Sequence, residues 1–447
     1  MYVKNQKFLI LGVSRSGLAA AKYLLGNSAA CYFYEEMTSE KITAAKQEII
    51  SLGGIEITAD KIDETLNVVD VLIISPGVPI NHAVAVKAKT KGVRIIGELE
   101  LGFISFTPPF IAITGTNGKT TTVSIIDAIF KEAKLQSKLV GNVGVPITSE
   151  IAGADKNTVF IAEVSSFQLE SVNAFSPHIS CVLNVSSDHL ERHYTMENYV
   201  FLKKRIFANQ RESEYCVLNF DDETVKGFYT EVRAKVVWVS TEEEVDGAYE
   251  KGGALYYKGE RVLDIDELPI LGKHNEYNAL FAIAVARLMG IDAEIIARAL
   301  KNFKGVPFRN QLVAIKGGVK FVNDSKSTNT ASSITAINAC VEPVVLILGG
   351  SEKGESYDKL FETIKNSTVK HVILTGSSRR NMLISADKAG YNEITVCPNF
   401  DYAVKIAVLM ANSGDKVLLS PACASFDAFS SYVERGERFN KIAGELN

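Results

Sequence analysis

Residues 110–130 read FIAITGTNGKTTTVSIIDAIF, in which an apolar run leads into a glycine-containing loop and then into an amphipathic stretch. A strand, a glycine loop and a helix in this order favour phosphate binding, because backbone N–H groups at the start of the helix attract an anion. The general pattern for such loops is G-x-x-x-x-G-K-[ST], whereas the residue five positions before Gly118 is Ile113. The stretch therefore predicts a nucleotide site with a loop shorter than the general pattern.

The composition is that of a globular chain. Its 447 residues suggest about two to four domains. Hydrophobic residues make up 47% and charged residues 22%, which argues against disorder. The net charge of −4 implies no basic face, so we expect no nucleic-acid partner. No apolar run reaches the roughly 18 residues that span a bilayer, so we expect no membrane insertion and a cytoplasmic protein.

The six cysteines are scattered along the chain, and no two of them form a C-x-x-C pair. Most of their neighbours are apolar, as in ISCVLNV and EYCVLNF. This pattern predicts buried thiols in a reducing compartment rather than a disulfide framework or a metal site.

Short apolar runs alternate with helical patterns along most of the chain, which is typical of βα units and parallel sheets. Proline-containing breaks at FTPPF (106–110) and KGVPFRNQ (304–311) suggest two boundaries. Residues 235–265 carry glycine turns between strand-like runs and predict an antiparallel patch. We therefore expect an α/β protein of three consecutive α/β domains, 1–104, 105–306 and 307–447. The first and third are expected to be Rossmann-like, and the central one to be a P-loop ATPase-type, mostly parallel sheet.

Several polar residues in the central segment are candidates for phosphate and metal chemistry. Lys119 can neutralise the outer phosphates of a nucleotide, and Thr120 can coordinate Mg²⁺. Glu163 ends an apolar strand, where a buried carboxylate is costly unless it is paired or bound to a metal. A magnesium ligand is the favoured interpretation, and a helix-capping carboxylate stays open.

The run LNVSSDHLERH places Asp188, His189 and His193 after another predicted strand. Two histidines beside a carboxylate favour a metal or phosphate site, although the spacing is not that of a zinc site. The following helix carries Lys203, Lys204 and Arg205. By composition alone we expect these three cations to form a solvated face.

The first segment contains GVSRSG (12–17), which resembles G-x-G-x-x-G but has Ser14 in place of the second glycine. That glycine normally lets the backbone approach a pyrophosphate. Glu35 lies where a ribose-binding acid would follow the second strand. A dinucleotide site is therefore disfavoured, and another nucleotide diphosphate stays open.

The last segment has three polar loops, each after a predicted strand: VNDSKSTN, LGGSEKGES and LLSPACASFDAFSSY. Asp324 suits ribose hydroxyls, whereas Lys326, Thr328 and Asn329 suit anions or the cap of the next helix. Each loop alone is a weak signal, because turns are rich in such residues. Together they predict one sheet edge that binds a small polar substrate.

The motifs TGTNGKTT, EVSSFQL, GNVGVP, DSKSTN and SPACASFD together resemble the Mur ligase family along the whole chain. The family's phosphate loop reads G-T-x-G-K-[ST], which accounts for the short spacing. EVSSFQL is similar to the pattern of the D-glutamate-adding member. The resemblance implies an ATP-dependent amide ligase that joins D-glutamate to UDP-N-acetylmuramoyl-L-alanine in peptidoglycan precursor synthesis. It also implies two Mg²⁺ ions, and we expect a monomer.

The resemblance further implies roles for individual residues. The ATP-binding set is Gly115, Thr116, Asn117, Gly118, Lys119, Thr120, Thr121, Asn275, Asn278, Arg309 and Asp324. The set for the uridine-nucleotide substrate is Ser14, Arg15, Ser16, Glu35, Gly77, Asn142 and Ser165. The D-glutamate set is Lys326, Thr328, Lys353, Ser425 and Tyr432. The metal set is Thr120, Glu163, His189 and Lys203 as a carbamate. The catalytic set is Lys119, His189, Lys203 and Arg309.

The resemblance changes the interpretation of Lys203, which aligns with a lysine that the family carbamylates. Carbamylation requires a neutral amine, so Lys203 should be desolvated rather than on a solvated face. Two positions depart from the family pattern. Phe308 replaces a histidine that usually precedes Arg309, and Tyr432 stands where phenylalanine is common.

Three other functions share part of the pattern. A folylpolyglutamate-type ligase has the same central loop, but we find no folate-binding segment. A dinucleotide oxidoreductase would use the first domain, and Ser14 argues against it. A non-enzymatic P-loop switch would bind nucleotide without consuming an amino acid.

Overall fold

The computed structural model describes residues 3–106, 109–270, 272–352 and 354–445. The chain divides into two compact units, Met1–Phe303 and Lys304–Asn447. The described residues of the first unit form two sheets and those of the second form one, each with helices on it. The expected α/β class with a mostly parallel central sheet is confirmed.

The amino-terminal sheet is parallel throughout its described strands, in the order β3-β2-β1-β4-β5. Both faces of β1 are buried, since Phe8 and Ile10 pack in one apolar cluster and Leu9 and Leu11 in another. The strands are β1 (Lys7–Leu11), β2 (Ala30–Tyr34), β3 (Ile55–Glu56), β4 (Val71–Ile74) and β5 (Arg94–Gly97). The helices are α1 (Arg15–Gly26), α2 (Glu40–Ser51), α3 (Ile62–Leu66), α4 (Ala83–Thr90) and α5 (Glu98–Ser105), with a 3₁₀ turn at Ala59–Lys61.

The central sheet begins with the 110–130 stretch, whose residues form a buried strand and a helix as expected. Its strands are β6 (Phe110–Thr114), β7 (Ser137–Gly141), β8 (Val159–Glu163), β9 (Ile179–Val182), β10 (Tyr215–Asn219), β11 (Lys235–Ser240), β12 (Gly247–Lys251), β13 (Ala254–Tyr257) and β14 (Glu260–Asp264), in the order β14-β13-β12-β11-β10-β9-β6-β8-β7. Its helices are α6 (Lys119–Glu132), α7 (Ile147–Glu150), α8 (Ser166–Leu169), α9 (Leu190–His193), α10 (Met196–Lys204), α11 (Glu223–Lys226), α12 (Lys273–Leu288) and α13 (Ala293–Lys301), with 3₁₀ turns at Ile151–Gly153, Gly227–Glu231 and Ile265–Glu267.

The antiparallel patch is smaller than its predicted range of 235–265. β11 pairs in parallel with β10, and β12 pairs in parallel with β11. Only β12, β13 and β14 form antiparallel pairs in the described part of this sheet. The physical reason is the position of the turns: the glycine turns lie at 252–253 and 258–259, after β12, so no hairpin precedes it.

The second unit contains a sheet in the order β15-β16-β20-β17-β18-β19. The β15 edge strand is antiparallel to β16, and the other pairs are parallel. The strands are β15 (Gln311–Lys316), β16 (Val319–Asn323), β17 (Val344–Gly349), β18 (Val369–Thr375), β19 (Ile394–Val396) and β20 (Lys416–Leu419). The helices are α14 (Thr330–Asn338), α15 (Asp358–Lys365), α16 (Arg379–Ala389), α17 (Phe400–Met410) and α18 (Tyr432–Glu445).

All six cysteines are buried free thiols, as expected. Across the ranges that the structure describes, every helix is too short or too polar to cross a bilayer. Of the first expected boundary segment, Thr107 and Pro108 lie outside the described residues; α5 ends at Ser105 and β6 begins at Phe110.

Candidate active site

The glycine loop after β6 adopts the turn that the short pattern predicted. Gly118 is the N-cap of α6 and has a φ of 87°, in the left-handed region that favours glycine. A Cβ atom at this position would lie 2.4 Å from Oδ1 of Asn278, so a side chain has no space here. The loop therefore directs the N-terminus of a 14-residue helix into the carboxyl edge of the sheet.

The loop is held in shape by its own lysine and by the end of β9. Nζ of Lys119 donates to the carbonyl oxygens of Gly115 at 2.8 Å and Thr116 at 2.9 Å. Asn184 Oδ1 accepts from the Asn117 N–H at 2.8 Å, and the Asn184 carbonyl accepts from the Thr116 N–H at 3.0 Å. Asn184 was not among the predicted site residues, although it is the first polar residue after β9.

Asn275 and Asn278, expected on the adenine side, lie at the start of α12 next to the loop. Asn278 Oδ1 accepts from the Thr122 hydroxyl at 3.1 Å, and its Nδ2 donates to Oδ1 of Asn275 at 3.1 Å. Asn278 also packs against Gly118, so the start of α12 is in direct contact with the phosphate loop.

Glu163, at the end of β8, is 2% exposed and faces the same loop. One carboxylate oxygen accepts from the Thr120 hydroxyl at 2.7 Å, and the other accepts from Nδ2 of Asn142 at 2.7 Å. These partners are side-chain groups and not the backbone N–H groups of a helix start, which favours the metal interpretation over capping. Within the described ranges no three His, Cys, Asp or Glu side chains form a metal-binding group. A hydroxyl and a carboxylate fit Mg²⁺, which commonly takes few protein ligands beside phosphate and water.

The structure separates the two candidate histidines. His189 has a left-handed φ of 53° and a half-exposed ring, with Nε2 3.5 Å from Oδ2 of Asp188. His193 is buried; its Nε2 lies 2.9 Å from the Ser166 hydroxyl, and its ring stacks on Tyr199. Burial is the main cause that lowers the pKa of His193. His189 therefore remains available to a ligand, whereas His193 has a packing role.

Lys203 is 1% exposed, so the expectation of a solvated cationic face is wrong at this residue. Desolvation lowers the pKa of its ammonium well below the usual value, Lys119 lowers it further, and Asp188 opposes them. The expectation of a desolvated amine is confirmed. Its neighbours differ: Lys204 pairs with Glu231, and Arg205 donates to the carbonyls of Leu169 and Glu170. Lys203 and Tyr199 are four residues apart and therefore lie on the same face of the helix, and this face is buried.

The residues expected to bind the uridine nucleotide follow the strands of the amino-terminal sheet. Ser14, Arg15 and Ser16 begin α1 after β1, and Gly77 follows β4. Glu35 follows β2, and its carboxylate accepts from the N–H groups of Val13 at 2.9 Å and Met37 at 2.8 Å. In a parallel sheet these positions share the carboxyl edge.

Two further residues of this set follow strands of the central sheet. Asn142 lies after β7 and contacts Glu163, as described above. Ser165 lies after β8, where its side chain caps α8 in a reciprocal pair with Gln168. Ser165 therefore has a structural partner of its own.

In the second unit, Asp324 is buried after β16. It accepts from the Ser420 hydroxyl at 2.7 Å and from the Asn310 N–H at 3.1 Å. Burial raises its pKa, and hydrogen bonds from Ser327 and Ser420 oppose the shift. The positive charge of Arg309 also opposes the shift and favours the ionised form of Asp324.

Phe308, in place of the usual histidine, has a φ of 62°. Its ring lies so close to Gly436 that an added Cβ there would be 2.3 Å from Cδ1. The ring is thus packed against α18. Nothing larger than glycine fits at position 436 while the ring occupies this place.

Arg435 was missed in the sequence, and it joins two of the predicted substrate loops. It is 2% exposed and donates to the carbonyls of Ser325, Cys423 and Ala424 and to the Ser325 hydroxyl. Burial lowers its pKa to about 10. The only signal in the sequence is an arginine on the apolar side of the last helix.

The D-glutamate set is distributed over these loops. Lys326 and Thr328 lie between β16 and α14, Ser425 follows β20, and Tyr432 begins α18. Asn329 caps α14, which confirms the capping alternative for that residue. Lys353 lies outside the described residues.

A cavity of about 330 Å³ opens beside the ends of β17 and β18. Its wall includes Gly350, Ser377, Arg379, Phe429 and Arg435. The cavity therefore offers space for a small molecule at one part of the sheet edge that was predicted to bind one.

Models of three protein-family domains match the chain. They are "Mur ligase MurD-like, N-terminal domain" at residues 6–97, "Mur ligase middle domain" at 113–286, and "Mur ligase, glutamate ligase domain" at 308–423. The chain is similar over its full length to curated proteins named UDP-N-acetylmuramoylalanine--D-glutamate ligase. It is 41% identical to that of Thermoanaerobacter sp. (strain X514) and 39% to that of Clostridioides difficile (strain 630), with 100% of both chains covered in each case.

Solved structures share the fold. UDP-N-acetylmuramate-alanine ligase MurC from Thermotoga maritima has a TM-score of 0.61 at 18% identity, covering 98% of this chain and 99% of that one. MurF ligase from Thermotoga maritima, in complex with ADP, has a TM-score of 0.58 at 17% identity, covering 99% and 96%. The full-length identity to the curated relatives, the domain models and the phosphate loop agree: the chain belongs to the Mur ligase family.

Proposed function

We propose that the protein is an ATP-dependent ligase that joins D-glutamate to UDP-N-acetylmuramoyl-L-alanine in peptidoglycan precursor synthesis. The observation that carries this proposal is the buried Glu163 carboxylate, 2.7 Å from the Thr120 hydroxyl at the phosphate loop. A carboxylate and a hydroxyl at the N-terminus of a phosphate-loop helix suit a magnesium nucleotide. The relatives that share about 40% of the sequence over full length are named for this ligation.

The reaction requires activation, because a carboxylate is a poor electrophile. ATP transfers its γ-phosphoryl group to the carboxylate of the nucleotide substrate, which gives an acyl phosphate and ADP. The amine of D-glutamate then attacks the acyl carbon, and the tetrahedral species loses phosphate and a proton to give the amide. No nucleophile from the protein is needed. The protein supplies positioning and positive charge.

The residues of the phosphate loop supply much of that charge. Lys119 is held over the loop by the Gly115 and Thr116 carbonyls, so a phosphate can replace these acceptors. Arg309 is proposed for the γ-phosphate and Asp324 for the ribose. Bound Mg²⁺, held by Thr120 and Glu163 and at a second position by His189 and Lys203 as a carbamate, would neutralise phosphate charge.

The carbamate proposal rests on the environment of Lys203. A desolvated amine loses its proton more readily, and a neutral amine can take up CO₂. Carbamylation would convert the side chain into an anion beside the loop, which would attract a cation. The unmodified lysine would instead repel one.

The two substrates are assigned to separate sets of residues. We propose the uridine nucleotide for Ser14, Arg15, Ser16, Glu35, Gly77, Asn142 and Ser165. We propose D-glutamate for Lys326, Thr328, Lys353, Ser425 and Tyr432. The proposed domains remain 1–104, 105–306 and 307–447, and the matches of three domain models support this division. We also propose a cytoplasmic monomer, and the six free thiols are compatible with a reducing compartment.

Phosphate release tests the function. Purified protein with ATP and Mg²⁺ should release phosphate only when UDP-N-acetylmuramoyl-L-alanine and D-glutamate are both present. L-glutamate, D-aspartate and meso-diaminopimelate should each give less than about a tenth of the rate, because the amine must be positioned against the acyl carbon. Phosphate release without an amino acid, or a preference for one of the other three, contradicts the assignment.

A further inference from the structure

Arg192 connects the central sheet to the loop that follows β4. Its Nε and Nη2 donate to the two carboxylate oxygens of Glu170 at 3.0 and 2.6 Å. Nη2 also donates to the carbonyl of Val78 at 2.9 Å and, at a longer 3.4 Å, to that of Pro76. One side chain thus holds both sides of Gly77.

The guanidinium is fixed from a third direction by an aromatic ring. It lies 4.9 Å from the centre of the Phe167 ring. The rings of His189 and His193 contact the same ring, with centroids at 4.8 and 5.3 Å. The Arg192 side chain is 15% exposed and that of Glu170 is 8% exposed, so water competes little for their hydrogen bonds.

We infer that Arg192 is a positioning residue for the uridine-nucleotide substrate. It fixes the position of the Gly77 loop relative to the turn that contains His189, and the substrate binds to this arrangement. The inference rests on the proposed function, in which Gly77 serves the nucleotide substrate and His189 a metal site. Arg192 is three residues from His189, within the same turn, and reaches across to the Gly77 loop. Movement of one of these elements is therefore transmitted to the other.

The chemistry of arginine explains why this residue suits the task. The planar guanidinium donates two hydrogen bonds to the Glu170 carboxylate, and its Nη2 has a further N–H that donates to the loop carbonyls. Lysine has a single charged point and cannot keep both sets of contacts in one plane.

The experiment compares Arg192→Met and Arg192→Lys with wild type and with Arg205→Met. Arg205 is a matched control, since it also donates to main-chain carbonyls, but only to those of 169, 170 and 172 in the central sheet's own loop. Both Arg192 variants should raise KM and Kd for UDP-N-acetylmuramoyl-L-alanine roughly ten- to hundredfold. The Kd for ATP should stay within about twofold, and Arg205→Met should leave the substrate Kd unchanged.

Hydrogen exchange of the free protein gives a readout that needs no turnover. The amide of Val78, which donates to the Ser75 carbonyl at 2.9 Å, and the amide of His82, which donates to the Pro79 carbonyl at 2.9 Å, should exchange roughly tenfold faster in the Arg192 variants, and not in Arg205→Met. If Arg192→Met fails to fold, Arg192→Lys provides both measurements. A folded Arg192 variant with wild-type substrate Kd and wild-type exchange overturns the inference. Wild-type protein without phosphate release overturns the proposed function instead, and the exchange experiment still tests the connection.

Discussion

Nζ of Lys203 lies 4.4 Å from the centre of the Tyr199 ring, and both side chains are only 1% exposed. The Tyr199 hydroxyl in turn lies 3.2 Å from Oγ1 of Thr116 in the phosphate loop. Burial raises the pKa of Tyr199 to about 12, so its phenol is neutral and offers a hydrogen bond rather than a negative charge. The Lys203 amine thus faces an aromatic ring, and its burial lowers its pKa well below the usual value.

Lys203→Ala should lower kcat roughly a hundredfold, because a metal-orienting anion would be lost. Added short carboxylic acids should restore part of the activity by occupying the vacated space. Phosphate release measures both effects, and mass spectrometry of native wild-type protein should detect the added carboxylate. Lys204→Ala, which removes the adjacent cation paired with Glu231, should retain near wild-type activity. Unchanged turnover in Lys203→Ala would falsify the carbamate role.

Asn142→Ala should weaken magnesium binding about 10- to 100-fold, because the amide of Asn142 orients the Glu163 carboxylate. Titration of phosphate release with Mg²⁺ measures this effect as a higher half-saturating concentration, with kcat recovered at high Mg²⁺. Asn173→Ala is the control; Asn173 donates to the Ile95 carbonyl on the surface. Equal Mg²⁺ dependence in all three proteins would show that Asn142 does not support a metal ligand.

Arg435→Met should lower the free energy of unfolding by about 3 kcal/mol, because it leaves several buried carbonyl oxygens without a donor. Urea titration of the full chain measures the change. D-glutamate KM should rise as well, since Arg435 connects the loops of Lys326 and Ser425. Arg438 lies on the same helix as Arg435 and forms an exposed ion pair with Asp401 of α17. Arg438→Met should therefore be much less destabilising. A similar loss in both variants would argue against the role of buried Arg435.

Glu342 predicts a pH dependence of stability. Hydrogen bonds from Lys320 and Lys416, at 2.6 and 2.9 Å, lower its pKa from 4.5 to about 2. A carboxyl with a depressed folded-state pKa is protonated first in the unfolded chain. Its stabilising contribution is thus complete above about pH 4.5 and is lost as pH falls towards about 2.

Urea titrations between pH 7 and pH 2.5 check this dependence in Glu342→Gln and in the surface control Glu362→Gln. Glu342→Gln should be less stable at pH 7 and lose less stability on acidification than wild type. The control should follow the wild-type curve. Parallel curves for wild type and Glu342→Gln would mean that another carboxyl group dominates the acid range.

Much of the candidate site was predictable because it depends on residues close together in sequence. Gly118 and Lys119 define a loop between a strand and a helix, and Glu163 lies at the end of an apolar run. Each of these patterns is local, and parallel strands bring their carboxyl ends to one edge. The same argument explains why Arg15, Glu35 and Gly77 follow strands of one sheet.

The contacts of individual side chains were less predictable. Composition indicated a solvated face for Lys203, and the spacing grouped His189 with His193. Asn184 and Arg435 resembled ordinary polar residues of a turn and a helix. Their environments depend on segments far away in the chain, which no local pattern describes.

The local amino-acid sequence is thus enough to predict three α/β segments, a short phosphate loop and the strands that end beside it. The reason is that strand, turn and helix preferences act over a few residues. Folding alone establishes that Lys203 is buried against Tyr199, that Glu163 contacts Thr120 and Asn142, and that Arg192 reaches the loop around Gly77. These relationships arise when distant segments exclude water together, and burial then sets the charge state of the groups between them.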